Sequence, residues 1–310
     1  MKKIGLALIV VLSSCSVDKE SYEMMQEDVK RIIVNIEEMI PEEGNSRVLR
    51  NDEGKFVWES NDTLGIFPNK GGQVEFAIDA ANVGKSSATF DGGGWALKNN
   101  FTYSAYCPFN FYNRNVKAIP FSYLNQTQKG NNDKSHLSNR TFMACVPTTV
   151  VDGSLTFQMK HMGTLTELAL TLPTPATYTS VDIYTSAEIL PVKVSFDLQS
   201  TELTQKDLEY SNHYTIKLDN IKTTSANEIV KVWFATPVVV DANKTLKAVV
   251  RDSQGSVYVA DIITSSGVKA TVNFKRANKR TLNAAPVLTD GVSGSIEDWE
   301  MGEEILGSAN

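Results

Sequence analysis

The chain has 310 residues, 42% of them hydrophobic, and a formal net charge of −6. Lysine and arginine are scattered, which excludes the basic footprint of a nucleic-acid binder. The length suits two domains, or one large one, with a core that needs neither metal nor disulfide staples.

The N-terminus carries the strongest local signal. Lys2 and Lys3 form a short positive region, Ile4 to Leu12 is a small or apolar run, and Leu12-Ser13-Ser14-Cys15 is a small-residue cleavage site ending in cysteine. Residues 1–14 therefore read as a secretory signal peptide, because the apolar run is too short to cross a bilayer. The placement of Cys15 marks a lipobox, with Cys15 as the lipidated first residue of the mature chain; a plain signal peptide that contains a cysteine is the alternative. A lipid at Cys15 anchors the protein to a membrane without spanning it. Residues 15–30, beginning with the charged run Ser16 to Glu20, read as a tether.

Met24 to Ile40 has two readings. Apolar residues at 25, 29, 32, 33, 36, 39 and 40 fit one face of a helix. Ile32, Ile33, Val34 and Ile36 are β-branched and favour a strand. The combined expectation is a helix or tether to about residue 29 and a strand over 31–39. Pro41 to Ser46 follows as an exposed loop, and Arg47 and Arg50 lie just beyond. Loop arginines are accessible to trypsin-like cleavage, or are ordinary solvated residues.

The body reads as all-β. Period-2 alternation recurs at Gln73–Ile78, Phe101–Cys107, Leu155–Met159, Leu168–Leu172, Val192–Phe196, Val230–Val240, Leu246–Val250, Val257–Ile263 and Val268–Phe274. Turn chemistry separates the runs at Asn69-Lys70-Gly71-Gly72, Asp91-Gly92-Gly93-Gly94, Asp152-Gly153 and Ser265-Ser266-Gly267. Many short strands so spaced predict β-sandwiches. A break near 147–154 predicts two of them in tandem, over 31–152 and 153–310.

With Cys15 lipidated, Cys107 and Cys145 remain. They could pair as a disulfide if their strands are neighbours, or stay separate buried thiols. Trp58, Trp233 and Trp299 sit in strand-like settings and predict core positions. Trp95, after the glycine turn, is placed to be exposed and to meet a partner or a sugar. His136, His161 and His213 lie far apart, with no metal spacing. His161 shares parity with Leu155, Phe157 and Met159, which predicts a structural histidine at a core edge. No G-x-S-x-G elbow or phosphate loop is present, and nothing in the carboxylate spacing singles out a glycosidase pair. The reading is of a non-enzyme that needs no cofactor.

Four blocks, in order, resemble the fimbrillin family of Bacteroidales surface lipoproteins, FimA- and Mfa-like. They are Phe56-Val57-Trp58-Glu59 with Asp62-Thr63-Leu64-Gly65-Ile66-Phe67; Phe101-Thr102-Tyr103-Ser104-Ala105-Tyr106-Cys107-Pro108-Phe109; Leu155-Thr156-Phe157-Gln158-Met159-Lys160-His161-Met162; and Ile296-Glu297-Asp298-Trp299-Glu300-Met301-Gly302. Together they span the chain from about residue 50 to its end, and Cys107 stands where the family pattern has an aromatic. The resemblance implies two transthyretin-like β-sandwich domains, a lipid-anchored location at the outer membrane or in fimbriae, and other fimbrial subunits or a surface receptor as partners. It also implies assembly by strand exchange: cleavage after an arginine, here Arg47 or Arg50, removes the first strand and opens a groove that a neighbour's strand fills. Val292–Leu306 is then a donor candidate, or the closing strand of the second sandwich. A surface lipoprotein that binds glycan or protein without polymerising is the alternative function.

Overall fold

The computed structural model describes residues 28–29, 31–41 and 56–289. Cys15, Arg47, Arg50, Trp299 and the run Val292–Leu306 lie outside the described residues. Alternation of buried and exposed positions turns almost every apolar run into a strand. In chain order these are β1 (Arg31–Ile36), β2 (Ile40–Pro41), β3 (Thr63–Pro68), β4 (Val74–Ile78), β5 (Ser87–Asp91), β6 (Thr102–Cys107), β7 (Ile119–Ser122), β8 (Gln126–Lys129) and β9 (Met143–Thr149). They continue as β10 (Ser154–His161), β11 (Gly163–Leu172), β12 (Thr177–Tyr184), β13 (Leu190–Phe196), β14 (Gln205–Ser211), β15 (His213–Lys222), β16 (Glu228–Pro237) and β17 (Val239–Thr245). The last are β18 (Lys247–Asp252), β19 (Val257–Asp261), β20 (Ile263–Thr264), β21 (Thr271–Phe274), β22 (Asn278–Ala284) and β23 (Val287–Leu288).

Seven strands close into a barrel in the order β1-β10-β9-β6-β3-β4-β5, with β5 returning to β1. The all-β expectation is met, and in this part of the chain the strands close on themselves. Its interior packs Val34, Trp58, Leu64, Ile66, Phe76, Leu155, Phe157 and Met159, all nearly or fully buried. Asp152 and Gly153, both at positive φ (49° and 70°), form the two-residue turn into β10, bonded both ways between Val151 and Ser154. The Asp91–Gly94 turn is different. The strand after it, β6, pairs with β3 and β9 instead of β5, so this turn leads out of the β4–β5 pair and closes no hairpin.

The second part has a sheet ordered β16-β11-β22-β2, with β20 also on β22, and a six-stranded sheet ordered β23-β19-β18-β12-β15-β8. A large apolar cluster fills it, including Leu168, Ile183, Ile216, Val232, Phe234 and Phe274. Strand pairing crosses the boundary expected at 152/153 in both directions. β10 completes the barrel, while β7 pairs with β13 and β8 with β15. A third cluster joins the two parts: Phe142 stacks on Phe196 at 4.5 Å and 10°, and the buried Ser104 hydroxyl donates to the Leu198 carbonyl at 2.7 Å.

The free edge of β16 is capped by side-chain amides. Gln126 Nε2 donates to the Ala235 carbonyl, and its Oε1 accepts from the Ala235 amide, both at 2.8 Å. Gln128 accepts from Trp233 N (2.7 Å) and donates to Lys231 O (2.8 Å). Asn131 accepts from Lys231 N (2.8 Å) and donates to Ile229 O (3.2 Å). Gln205 does the same at both polar atoms of Val238, at 2.8 and 2.9 Å. Each amide group stands in for one peptide unit of a missing neighbour strand.

Candidate functional site: the barrel-closing strand

β1 is a strand because its β-branched residues suit a pleated, two-sided environment. It is the seam of the barrel. On one side it runs parallel to β10, from Arg31↔Ser154 to Ile36↔Met159. On the other it runs antiparallel to β5, from Ile33↔Thr89 to Asn35↔Ser87. Ile32 and Val34 point into the core, at 9% and 0% exposure, and Ile36 packs partly against it. Trp58 Nε1 donates to the Val34 carbonyl across the interior at 3.3 Å.

The strand stops at Ile36, short of the expected Met39; the Glu37 amide makes a last bond to the Met159 carbonyl at 2.9 Å, and the Glu37 side chain turns to other partners. Its carboxylate receives both guanidinium nitrogens of Arg276, at 2.7 and 3.1 Å. It also accepts the His161 amide at 3.2 Å. Ile40 N then donates to Ala277 O at 2.8 Å, and β2 pairs in parallel with β22. At the other end the segment expected to be tether is held too: Val29 N donates to Leu97 O at 2.7 Å, and Asp28 pairs with Lys98 Nζ at 2.5 Å. No helix forms among the described residues of 24–40.

The seam is held by several modest terms. Burying Ile32 and Val34 contributes roughly 1.5–3 kcal/mol each, and each ladder hydrogen bond contributes about 0.5–1.5 kcal/mol net. The Glu37–Arg276 pair is bidentate but partly exposed, so it contributes about 0–1 kcal/mol. Such a strand is secure while attached, and its removal would leave an apolar slot flanked by two unpaired strand edges, β5 and β10.

Cys107 and Cys145 lie on the neighbouring strands β6 and β9, but the register sets Cys145 opposite Ala105 and Cys107 opposite Met143. Diagonal neighbours sit about 7–8 Å apart, past the roughly 4.4–6.8 Å Cα reach of a disulfide, and both side chains are buried. His161 is fully buried, deeper than the core edge expected of it, with its ring 4.3 Å from that of Phe56. His136 bonds the Trp233 carbonyl at 3.0 Å, and burial lowers its pKa. His213 lies beside Asn212 and Ser211. Trp58 and Trp233 are buried, and Trp95 is 68% exposed. No group of His, Cys, Asp and Glu among the described residues could hold a metal, and none of their helices is long and apolar enough to cross a membrane.

Sequence reasoning missed the latch. Glu37 and Arg276 are 239 positions apart, and neither lies in a motif. The signal that could have drawn attention is the Glu37-Glu38 pair that interrupts an otherwise apolar run.

No family model matches the chain, and no curated protein does. Solved structures do share this architecture. A protein assigned to cell adhesion from Bacteroides ovatus superposes with a TM-score of 0.52 at 15% identity, over 86% of this chain and 96% of that one. Another, from Bacteroides uniformis, gives 0.48 at 11% identity over 76% and 93%. A fimbrial protein from Bacteroides ovatus gives 0.39 at 10% identity over 82% and 49%. At such identities, the first of these likenesses shows a common fold.

Proposed function

We propose that the protein is a fimbrillin-like surface lipoprotein, anchored at Cys15 to the outer membrane, that acts in fimbrial assembly and cell adhesion by exchanging its first strand. One observation carries this reading: β1 alone closes the barrel, lying between β5 and β10 at the N-terminal end of the fold. Arg47 and Arg50 follow it in sequence, so a cut at either would sever the lipid and β1 from the rest. The emptied slot would then accept an extended strand from another subunit, with side chains alternating into the core. The four sequence blocks and the shared fold of the Bacteroides ovatus protein support the assignment. In this reading the chain has two transthyretin-like domains and is processed after Arg47 or Arg50.

The test combines N-terminal sequencing of protein shed from cells with a search for denaturation-resistant oligomers. Chains beginning just after residue 47 or 50, together with a ladder, are the expected result. Chains that all begin at Cys15, with no ladder, overturn strand exchange. That outcome favours a second reading, a surface lipoprotein that binds its partner with β1 kept in place, for which the Glu37–Arg276 latch and the β2–β22 pairing are the supporting observations.

A further inference from the structure

We propose that the cleft beside Trp95 binds a basic side chain, a guanidinium or ammonium group, of a partner polypeptide. The cleft is open, about 780 Å³, and lies against the outer face of β4 and β5. Glu75, Asp79 and Asp91 line it together with Ala77, Thr89 and Trp95, and among the described residues no lysine, arginine or histidine lines it. Strand register explains the convergence. Glu75, Ala77 and Asp79 share one parity, and Asp91 stands opposite Ala77, so the carboxylates project from one face.

The indole is displayed, not merely left over. Gly93 and Gly94 both hold positive φ, at 61° and 99°, which side chains there would resist. A Cβ on Gly92 would lie 2.5 Å from the Phe76 ring. The Gly93 amide donates to Asp91 Oδ1 at 3.0 Å, and Trp95 N donates to Gly92 O at 3.3 Å. A turn braced in this way fixes a large apolar ring at the mouth of an acidic cleft. Asp91 Oδ2 and both oxygens of Glu75 take no hydrogen bond from the described residues, whereas Asp79 is spent on Ala81 N and the Thr89 hydroxyl.

Charge decides the ligand class. The electron-rich face of an indole attracts a cation, most strongly an arginine lying flat on it. Neighbouring carboxylates reinforce that attraction through charge-assisted hydrogen bonds. A neutral sugar would stack on the same ring but leave the negative charge of Glu75 and Asp91 without a counter-charge. The cleft borders β1 through Thr89, the register partner of Ile33, but contains no residue of β1. Binding there can therefore be measured with β1 in place.

The test uses the full chain with β1 in place and an N-acetylated hexapeptide of alternating arginine and glycine as probe, followed by calorimetry. The same peptide with glutamate for arginine and a neutral glucose oligosaccharide are the comparators. Saturable binding of the arginine peptide is expected, weakened at least tenfold by Trp95→Ala and by Glu75→Gln with Asp91→Asn. It should also fall several-fold between about 50 and 300 mM salt. Trp95 is exposed, and the amide pair keeps the Gly93 contact, so both variants should retain the parent melting temperature. Absence of saturable arginine-peptide binding, equal binding by the variants, or salt-insensitive binding of the oligosaccharide in its place overturns the proposal.

Discussion

Gly65 shows how a single residue can encode a motif. A Cβ there would sit 2.1 Å from Cε1 of Tyr106. That ring cannot swing aside, because its hydroxyl bonds Gln73 Oε1 at 2.7 Å and the Asn110 carbonyl at 3.1 Å. Gly65→Ala should therefore destabilise the barrel by about 1–3 kcal/mol, read as a lower midpoint in chemical denaturation. Lys279 makes a different prediction at the same scale. Burial pulls its pKa from 10.5 down to about 8, opposed by the nearby Glu167 carboxylate and assisted by Lys134 and Lys231. Below about pH 8 the ammonium is charged in both folded and unfolded chains, and its burial cost stands in full. Between about 8 and 10.5 the unfolded chain holds the proton that the folded chain has released, so stability rises with pH. Relative to Lys279→Met, the parent should gain melting temperature across that window; a constant difference would contradict the assignment.

At the scale of elements, the capped edge of β16 and the seam at β1 are opposite solutions to the same problem of an open strand edge. Gln128→Ala should leave Trp233 N–H without its acceptor, whereas Lys231 C=O keeps the Asn132 amide at 3.1 Å; the orphaned amide costs about 1–3 kcal/mol if it stays buried. Urea denaturation measures the loss, and light scattering should show the uncapped edge as concentration-dependent association. At the seam, Val34→Asp puts a carboxylate into the barrel interior, and increased binding of a hydrophobic dye is expected as β1 detaches. This contrast also marks what the sequence made legible. The β-branched cluster announced β1, and clean alternation announced β4, β6 and β10. β8, Gln-Thr-Gln-Lys, reads as a loop because its glutamines are buried as substitutes for peptide groups. β22 was hidden for a related reason: Lys279 and Arg280 are each 3% exposed, yet charged residues ordinarily signal solvent. Arg280 resolves this by donating to the Thr271 carbonyl at 2.9 Å and lying over Phe274. The latch was illegible because nothing local ties Glu37 to Arg276, whereas exposure of Trp95 followed from its glycine turn.

Across the whole molecule, the shared cluster makes barrel and second part mechanically continuous. Phe142, Tyr106 and Phe67 from one side meet Phe196, Val194 and Trp233 from the other. Phe196→Ala should cost about 3–5 kcal/mol and split one cooperative melting transition into two, followed by calorimetry. A single transition at lower temperature would mean that the two parts still unfold as one.

The amide cap on β16 also carries a chemical lifetime. Gln126 and Gln128 are sealed from water, but Asn131, at the far end of the row, is exposed. Hydrolysis of that side chain to aspartate would exchange the donor facing the Ile229 carbonyl for a second oxygen, turning attraction into repulsion. An old molecule would thus begin to unzip its guarded flank from the wet end, and become adhesive to its own kind in a way that the freshly made chain is not.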